Sequence, residues 1–398
     1  MNRPSFFLLW ISLAVVGFTS LLGSCGADAA AEQSDSEAAA PLPDPSADYE
    51  TNPYQWGFID TKGKIAIASR YDEVRPFSEG LALVRKNGKW GYINKQAKFA
   101  IPATFRAAWP FENGRAKAQN DAGLFGFIDL QGEWTIPATF AEISTFSEGL
   151  ACFREDQAYG FVDTSGQVVI PAQYEQPASF QDSLAIVFKE ELYGMIDRQG
   201  AVVVPFIYTR LKPFAEGLAR AQVAGKYGFI NRQGQWVIPA QYTQASDFNA
   251  GLAAVAREGQ WGLIDKTGNW QLPAQYPQLV YAGAARWLVT NKQGRYNVMD
   301  QSGNYLLEKD LDEIHPFTED IAAFRDGELW GYLTTNGRIV SPPRYFLAWP
   351  FHQGLARVAT ADGLSFIDRE GFLLMAPNPY FLELREFSEG LAPVQVYK

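Results

Sequence analysis

Acidic side chains recur at fixed intervals along this 398-residue chain, and paired carboxylates are the usual general acids and bases of hydrolases. A catalytic pair needs two carboxylates in different environments, whereas these acids hold the same turn position in successive copies of a repeat. We therefore interpret them as residues that cap turns. The first set is Asp60, Asp129, Asp163, Asp197, Asp265, Asp300 and Asp368, and the second is Glu79, Glu148, Glu216, Glu319 and Glu389.

Other reactive residue types are scarce. Two Cys and two His exclude a four-thiolate zinc site and leave little for a Ser-His-Asp mechanism. His315 and His352 fall at different repeat positions, so they form no repeated ligand set, and no Asp-x-Asp-x-Asp-Gly calcium loop occurs. We expect no catalytic residue, metal or cofactor, and hence no enzyme. Cys152 stands in an apolar, strand-like segment, where a buried and unreactive thiol is expected.

Two tryptophans are the best candidates for a ligand contact. Trp109 and Trp349 each stand in Trp-Pro-Phe, at a repeat position that holds Arg75, Lys212 and His315 in other copies. A position that tolerates charge is expected to meet solvent, where an indole can stack on a sugar or anchor a protein partner. The alternative is an aromatic residue half-covered by the next unit.

Composition limits the function classes. The chain is 47% hydrophobic, so it can bury a sizeable core. Its 44 acidic and 34 basic residues give a net charge of −10, which argues against nucleic acid as a partner. Its 35 Gly and 23 Pro favour many turns and short strands over long helices.

The first residues have the pattern of an export signal. Arg3 precedes an apolar run from Phe6 to Leu22, as in the core of a signal peptide. The run ends in Leu-Gly-Ser before Cys25, which resembles the lipobox of bacterial lipoproteins. That resemblance implies cleavage after residue 24 and a lipid on Cys25. An uncleaved membrane anchor is the alternative, because no charge interrupts the run.

A tether is expected to follow the anchor. Residues 25–53 are rich in Ala, Ser, Pro and acidic residues and lack Lys and Arg, so this stretch cannot build a core. Gly26 replaces the Asp that would resemble the signal for retention in a Gram-negative inner membrane. We therefore expect an exported protein that is lipid-anchored in the cell envelope, in the outer membrane rather than the inner.

Residues 54–398 consist of one motif repeated about ten times. An aromatic-Gly pair recurs every 34 or 35 residues, Tyr296-Asn297 fills one gap, and Leu364-Ser365 marks a degenerate tenth copy. The regular pairs begin at Trp56, Trp90, Phe125, Tyr159, Tyr193, Tyr227, Trp261 and Trp330.

Each copy predicts three antiparallel strands. The segment Trp90–Asn94 is apolar on both faces, so we expect it to be covered on both. Gly91 has no side chain, so we expect a bulky group such as a neighbouring aromatic ring to lie against its backbone. An Asp-x-x-Gly turn follows, then a strand that Pro239 ends in its copy, then a hairpin such as Phe214–Ala219. Trp134, Trp236 and Trp270 share a position with aliphatic residues, which indicates core packing.

The motif resembles the WG β-repeat family of bacterial proteins, and Phe77-Ser78-Glu79-Gly80-Leu81-Ala82 matches its hairpin almost letter for letter. The resemblance covers nearly the whole mature chain and implies no catalytic residue and no particular ligand. The copy at Tyr296 departs from it, because Asn297 replaces Gly and Leu307-Glu308 replaces Ile-Pro.

An all-β array of about ten 34-residue, three-stranded units is the predicted fold. We favour an open solenoid or superhelix, because closed propellers usually have four to eight blades, and a closed propeller-like ring is the alternative. The predicted function is a non-catalytic scaffold for envelope protein or peptide partners. A module that binds cell-wall or surface glycans is the second hypothesis.

Overall fold

A computed structural model describes residues 53–398, which form β-strands joined by turns. The predicted signal peptide, Cys25 and nearly all of the predicted tether lie outside these residues. Between Pro53 and Lys398, no helix is long and apolar enough to span a membrane.

The first eighteen strands are β1 Tyr54–Asp60, β2 Ile65–Tyr71, β3 Glu73–Ser78, β4 Leu81–Lys86, β5 Lys89–Ile93, β6 Phe99–Phe105, β7 Ala107–Ala108, β8 Arg115–Gln119, β9 Phe125–Asp129, β10 Trp134–Phe140, β11 Leu150–Glu155, β12 Ala158–Asp163, β13 Val168–Tyr174, β14 Phe180–Gln181, β15 Leu184–Lys189, β16 Leu192–Asp197, β17 Val202–Tyr208 and β18 Arg210–Ala215. The others are β19 Leu218–Val223, β20 Lys226–Ile230, β21 Trp236–Tyr242, β22 Gln244–Ala245, β23 Leu252–Arg257, β24 Gln260–Asp265, β25 Trp270–Tyr276, β26 Gln278–Gly283, β27 Arg286–Thr290, β28 Tyr296–Met299, β29 Glu313–Ile314, β30 Ile321–Asp326, β31 Leu329–Thr334, β32 Ile339–Tyr345, β33 Leu347–Ala348, β34 Leu355–Thr360, β35 Gly363–Asp368, β36 Glu383–Leu384 and β37 Leu391–Tyr397.

These strands form ten small antiparallel sheets, which we call blades 1 to 10. In chain order, blade 1 is β3–β6, blade 2 β7–β10, blade 3 β11–β13, blade 4 β14–β17, blade 5 β18–β21, blade 6 β22–β25, blade 7 β26–β28, blade 8 β29–β32 and blade 9 β33–β35. Blade 10 joins β36 and β37 to β1 and β2. We call the four strand positions of a blade a, b, c and d. The predicted all-β repeat array is confirmed, with a short strand a added to most of the predicted three-stranded units.

Blade 10 closes the array into a propeller-like ring. Strand β1 pairs with β37 along its whole length, from Tyr54 opposite Tyr397 to Asp60 opposite Leu391. The closed propeller-like ring, given above as the alternative, is therefore the observed arrangement, and the open array is not formed. The aromatic-Gly strand is strand c, so each sequence copy contributes strands c and d to one blade and strands a and b to the next.

Strand c is covered on both faces, as its sequence predicts. In β5, Trp90 through Ile93 are all buried. Leu83, Tyr92 and Ile101 of blade 1 pack against Phe111 and other apolar residues of blade 2. The core therefore lies between neighbouring blades, and an apolar cluster of this kind also joins blade 10 to blade 1.

Strand d crosses directly over the glycine of strand c. Trp90 pairs with Phe105 and Tyr92 with Ile101, so strand d has two extra residues at this point. A Cβ on Gly91 would lie 2.6 Å from the Ala103 backbone. Backbone, rather than an aromatic ring, fills the space that the glycine leaves, which corrects the sequence expectation.

Proline interrupts strand d without ending it, contrary to the prediction for Pro239. That residue lies inside β21, which continues to Tyr242. The bulge and the edge position make this possible, because the missing amide there would have no ladder partner. An edge strand that carries Pro and a bulge is also a poor template for aggregation.

The Asp-x-x-Gly turns are capped as predicted. Asp60 Oδ1 accepts hydrogen bonds from the amides of Lys62 and Lys64, at 2.9 and 3.0 Å. Gly63, the fourth residue of this turn, has a φ of 75°, which favours glycine. Asn94 caps the corresponding turn of blade 1 through the same two bonds.

We expect acid to destabilise the ring through these capped turns. Hydrogen bonds to Asp265, first from the Thr267 hydroxyl, hold its pKa at about 2, below its usual 3.8. Because folding lowers this pKa, the stabilisation is present above about pH 4 and disappears as the pH falls towards 2. Thermal midpoints measured across this range should fall less steeply for Asp265→Asn, since asparagine caps the equivalent turn. An unchanged slope would contradict this assignment.

Turns between strands a and b link one blade to the next. The Gly114 amide donates to the Glu79 carboxylate at 2.9 Å, and the Gly80 amide donates to Glu389 across the closure at 3.0 Å. Each of these ten turns contains a non-glycine residue with a φ of 49–52°. They are Glu79, Asn113, Glu148, Asp182, Glu216, Ala250, Ala284, Glu319, Gln353 and Glu389.

Strand a packs against strands b and c of the preceding blade, which places it on the inner side of the ring, because radiating sheets approach most closely near the axis. Strand d is accordingly the outer, exposed strand. Trp134 and Trp236 lie on it and are both 37% exposed, so the predicted core position for them is wrong. They pack edge-on against Phe105 and Tyr208. Trp270, at the same position, is half-buried and packs against the cluster that contains Tyr242.

Candidate functional site

Trp109 and Trp349 directly follow the short inner strands β7 and β33, and the equivalent residues of the other blades lie on strand a or beside its position. Following this position around the ring gives one side chain per blade, and we call this set the inner column. From blade 1 to blade 10 it consists of Arg75, Trp109, Ser144, Ala178, Lys212, Ser246, Val280, His315, Trp349 and Arg385. All bulky aromatic, guanidinium and imidazole members fall on blades 8, 9, 10, 1 and 2, which are consecutive because the ring is closed. We call these five blades the aromatic arc.

Trp109 and Trp349 have equivalent environments, and both are half-buried. The Trp109 amide donates to the Lys117 carbonyl, and the Trp349 amide donates to the Arg357 carbonyl. Their own carbonyls accept hydrogen bonds from Tyr92 and Tyr332 of the preceding blades, at 2.7 and 2.9 Å. Burial raises the pKa of both tyrosines, so the donors stay protonated.

A cation lies beside each of the two indoles. Lys117 Nζ is 4.0 Å from the Trp109 ring centre, and the Arg357 guanidinium carbon is 4.2 Å from that of Trp349. Phe125 contacts Trp109 edge-on at 5.9 Å. Each indole is therefore partly covered by its own blade, which is close to the alternative considered from the sequence, a half-covered aromatic.

The same pairing continues across the closure. The Arg385 guanidinium stacks on Trp56 at 4.1 Å, and Arg75 lies 5.6 Å from the Trp90 ring centre. In blade 8, the His315 ring contacts Trp330 at 4.6 Å. Five consecutive blades thus present a cation or imidazole against an aromatic plane.

Several of these cations also join neighbouring blades. Lys117 donates to the Ile143 carbonyl of blade 3 at 3.1 Å, and Arg385 donates to the Val74 carbonyl of blade 1 at 2.9 Å. Arg357 donates in the same way to Leu384, and Arg220 to Ala245. Each acceptor is a carbonyl on the inner side of the next blade, so these side chains both stabilise the ring and position the aromatic planes.

Acidic side chains form ion pairs with several of these cations. Glu386 lies 3.4 Å from Arg357, and Glu383 lies 2.9 Å from Arg385. Lys117 contacts the Ile143 carbonyl and the rings of Trp109 and Phe125. Blade 2 therefore offers a cation beside two aromatic rings, a combination that suits carboxylate and aromatic groups of a ligand.

Sequence reasoning identified Trp109 and Trp349 but missed their cations. Lys117, Arg220 and Arg357 share a strand-b position that holds Leu83, Ala254 or other apolar residues in most blades. A charged residue in an otherwise apolar repeat position was the available signal. His352 lies in a turn, exposed and apart from the inner column.

Metal-binding groups and the single described thiol are the remaining reactive features. Within positions 53–398, no three His, Cys, Asp or Glu side chains are grouped so as to hold a metal ion. Cys152 is buried, and burial raises the pKa of its thiol to about 11, so it is not an activated nucleophile.

A family model described as WG containing repeat matches most of the described chain. The matched segments are residues 56–90, 90–122, 125–157, 159–193, 193–227, 227–260, 261–279, 298–330 and 330–362. The gap at 280–297 coincides with the irregular blade 7. A search of curated proteins gives no match.

Solved structures similar to this chain share little sequence with it. BamB from Moraxella catarrhalis is 13% identical over 73% of this chain and 94% of its own, with a TM-score of 0.34. A eukaryotic initiation factor is 10% identical over 73% and 95%, with a TM-score of 0.45. The computationally designed Ika8 protein is 13% identical over 67% and 93%, with a TM-score of 0.33. Structural similarity at these TM-scores and sequence identities does not indicate a function.

Proposed function

Because this chain belongs to the WG containing repeat family, we propose that it is a non-catalytic repeat scaffold that binds protein or peptide partners along its aromatic arc. The observation that carries the proposal is the uneven inner column. Blades 3, 4, 6 and 7 have only Ser144, Ala178, Ser246 and Val280 there and blade 5 has Lys212, whereas every Trp, Arg and His of the column lies on the five blades of the arc. A column that served only to hold the ring together would not need to differ between its two halves.

The arc favours a partner with acidic and aromatic side chains. Trp, Tyr and Arg are enriched among the residues that contribute most to protein interfaces, because they combine a large contact surface with hydrogen-bonding groups. Five neighbouring blades supply separate small contacts, and a ligand that spans them gains from all of them together. We expect an extended peptide segment rather than a compact small molecule.

The proposed location is the cell envelope, with the ring held at a membrane by a lipid on Cys25. The Leu-Gly-Ser-Cys sequence and the apolar run before it support this part of the proposal. Gly26 favours the outer membrane over the inner. Mass spectrometry of the native N-terminus should find an acylated Cys25, and an intact Met1 would contradict the lipid anchor.

Capture of envelope components tests the binding proposal. We expect the immobilised full chain to retain a protein partner stoichiometrically and Trp109→Ala/Trp349→Ala to bind it about tenfold more weakly, since each change removes an aromatic contact. The matched control is Trp134→Ala/Trp236→Ala, which removes two indoles from outer strands and should leave binding unchanged. Equal losses in both double variants would contradict the aromatic arc as the binding surface.

Glycan binding by the same two indoles remains the second candidate. Its support is that each indole is only half-buried, so one ring face can stack on a sugar. Purified cell-wall polysaccharide belongs in the same capture experiment. Retention of polysaccharide in preference to protein, lost in Trp109→Ala/Trp349→Ala, would favour this function over the first.

A further inference from the structure

Blade 7 departs from the repeat in a way that opens a cavity. Its strand c, β28, ends at Met299, and no regular strand d follows. Single bridges replace that strand, joining Tyr296 to Leu311 and Met299 to Tyr305. The segment between Met299 and Leu311 therefore follows a different path from strand d of the regular blades.

Asn297 occupies the strand-c position that is glycine in most blades, and its side chain holds the chain on this path. Its side chain is buried, and its Nδ2 donates to the Leu307 carbonyl at 3.2 Å and to Asp310 Oδ1 at 2.9 Å. Asn291 Nδ2 donates to the other Asp310 oxygen at 2.7 Å. Arg295 donates to the Asp310 carbonyl at 2.7 Å. Side chains thus replace the backbone ladder of a regular blade.

The resulting cavity has a volume of about 350 Å³ and a mostly polar lining. That volume is at the lower end of the range for small-molecule sites. Among the described residues, no cationic side chain lines it. Its polar and aromatic walls are Thr290, Asn291, Asn297, Tyr305, Glu308 and Asp310.

Blade 9 shows that losing the repeat glycine does not by itself create such a cavity. Ser365 replaces glycine there, and its hydroxyl donates to the Met375 carbonyl at 2.7 Å. Met375 is buried in an apolar cluster with Ile59 and Phe366. The gap in blade 9 is thus filled with hydrophobic side chains, whereas the gap in blade 7 is lined with amides, carboxylates and one tyrosine.

We propose that the blade 7 cavity binds a neutral sugar residue. Asn297 uses both amide hydrogens within the blade, but Asn291 Nδ2 has a second hydrogen and the Asp310 oxygens have further lone pairs that can bond to sugar hydroxyls. The 56% exposed Tyr305 ring offers a flat face for the sugar to stack on. Glu308 is exposed and has no bonded partner within residues 53–398, so its carboxylate is available. The acidic lining repels uronic and sialic acids, which limits the ligand to uncharged sugars.

This site is independent of the proposed function. It lies on strands b and c and the segment after them, and it shares no residue with the aromatic arc. Loss of protein capture in Trp109→Ala/Trp349→Ala therefore says nothing about it, and a failure here leaves the aromatic arc untouched.

Ligand-observed NMR with the full chain tests the proposal. The probes are the methyl glycosides of glucose, galactose and N-acetylglucosamine, with glucuronate as the charged control. We expect at least one neutral glycoside to bind at millimolar concentration and glucuronate to bind about tenfold more weakly. Oligosaccharides of the bound sugar, added in a second arm, distinguish the end of a glycan from a free monosaccharide.

Two variants locate the binding. Tyr305→Ala should weaken it about tenfold, and Glu308→Gln should weaken it while the thermal midpoint stays unchanged, because both side chains are exposed. The matched control is Tyr380→Ala, which removes a 78% exposed tyrosine from the segment that replaces strand d in blade 9. Binding of no neutral glycoside, equal binding of glucuronate, or full binding by Tyr305→Ala would each overturn the proposal.

Discussion

Gly91→Ala should destabilise the ring by about 3 kcal/mol, although it adds a single methyl group. The new Cβ would lie 2.6–2.7 Å from backbone atoms of Pro102 and Ala103. A backbone cannot rotate out of the way as a side chain can, so strand d would have to leave its hydrogen bonds to strand c. Chemical denaturation should show the loss as a lower midpoint with an unchanged slope.

Ser365→Ala is the matched control, because it places the same alanine at the equivalent position of blade 9. No strand d crosses there, so only the hydrogen bond to the Met375 carbonyl is lost. We expect a cost of about 1 kcal/mol. Similar costs for the two variants would show that crowding by strand d is not why the repeat requires glycine.

The repeat made the strands and turns predictable, because each local pattern has a local physical cause. An apolar segment such as Trp90–Ile93 needs cover on both faces, and Asp before a turn caps the following amides wherever it occurs. Pro239 was misread because proline inside a strand usually marks its end. An edge strand with a bulge is the exception, and a bulge depends on the partner strand, which local sequence does not reveal.

Ring closure could have been predicted from the phase of the repeat. The aromatic-Gly strand at Trp56 and the Phe-x-x-Gly-Leu hairpin at Phe387–Leu391 are complementary halves of one repeat unit. Each half-unit alone leaves an apolar face uncovered, and pairing the two completes a blade. Ten blades exceed the usual number in a propeller, and this base rate favoured the open array.

The sequence predicted only part of the candidate site. Trp109 and Trp349 stand out because charge replaces them in other copies, but they are 240 positions apart, and only closure puts them on one arc. Their neighbours Lys117 and Arg357 come from strand b, and strand pairing places them beside the indoles. The cavity of blade 7 depends on where Asn297 directs the chain, which no pattern of spacing predicts.

Val394→Asp should destabilise the whole ring, not only its last strand, by at least about 3 kcal/mol. Val394 is fully buried on β37, where it pairs with Gly57 of β1 and Leu384 of β36. An aspartate there would place an unpaired charge among Ile59, Phe366 and Leu384. Because β37 links both ends of the array, its loss exposes the apolar faces of blades 9 and 1 together.

Tyr397→Asp, which introduces an aspartate three residues further along the strand, is the control. That side chain is 57% exposed, so the variant should remain within about 0.5 kcal/mol of the parent protein. Two probes distinguish a ring from an open array: tryptophan fluorescence, and hydrogen exchange at blade 5, opposite the closure. If the ring is cooperative, Val394→Asp should reduce protection from hydrogen exchange at blade 5 as well as at blade 10. If only blades 9, 10 and 1 lost protection, each blade would be stabilised by its neighbours alone and closure would add nothing to the rest of the chain.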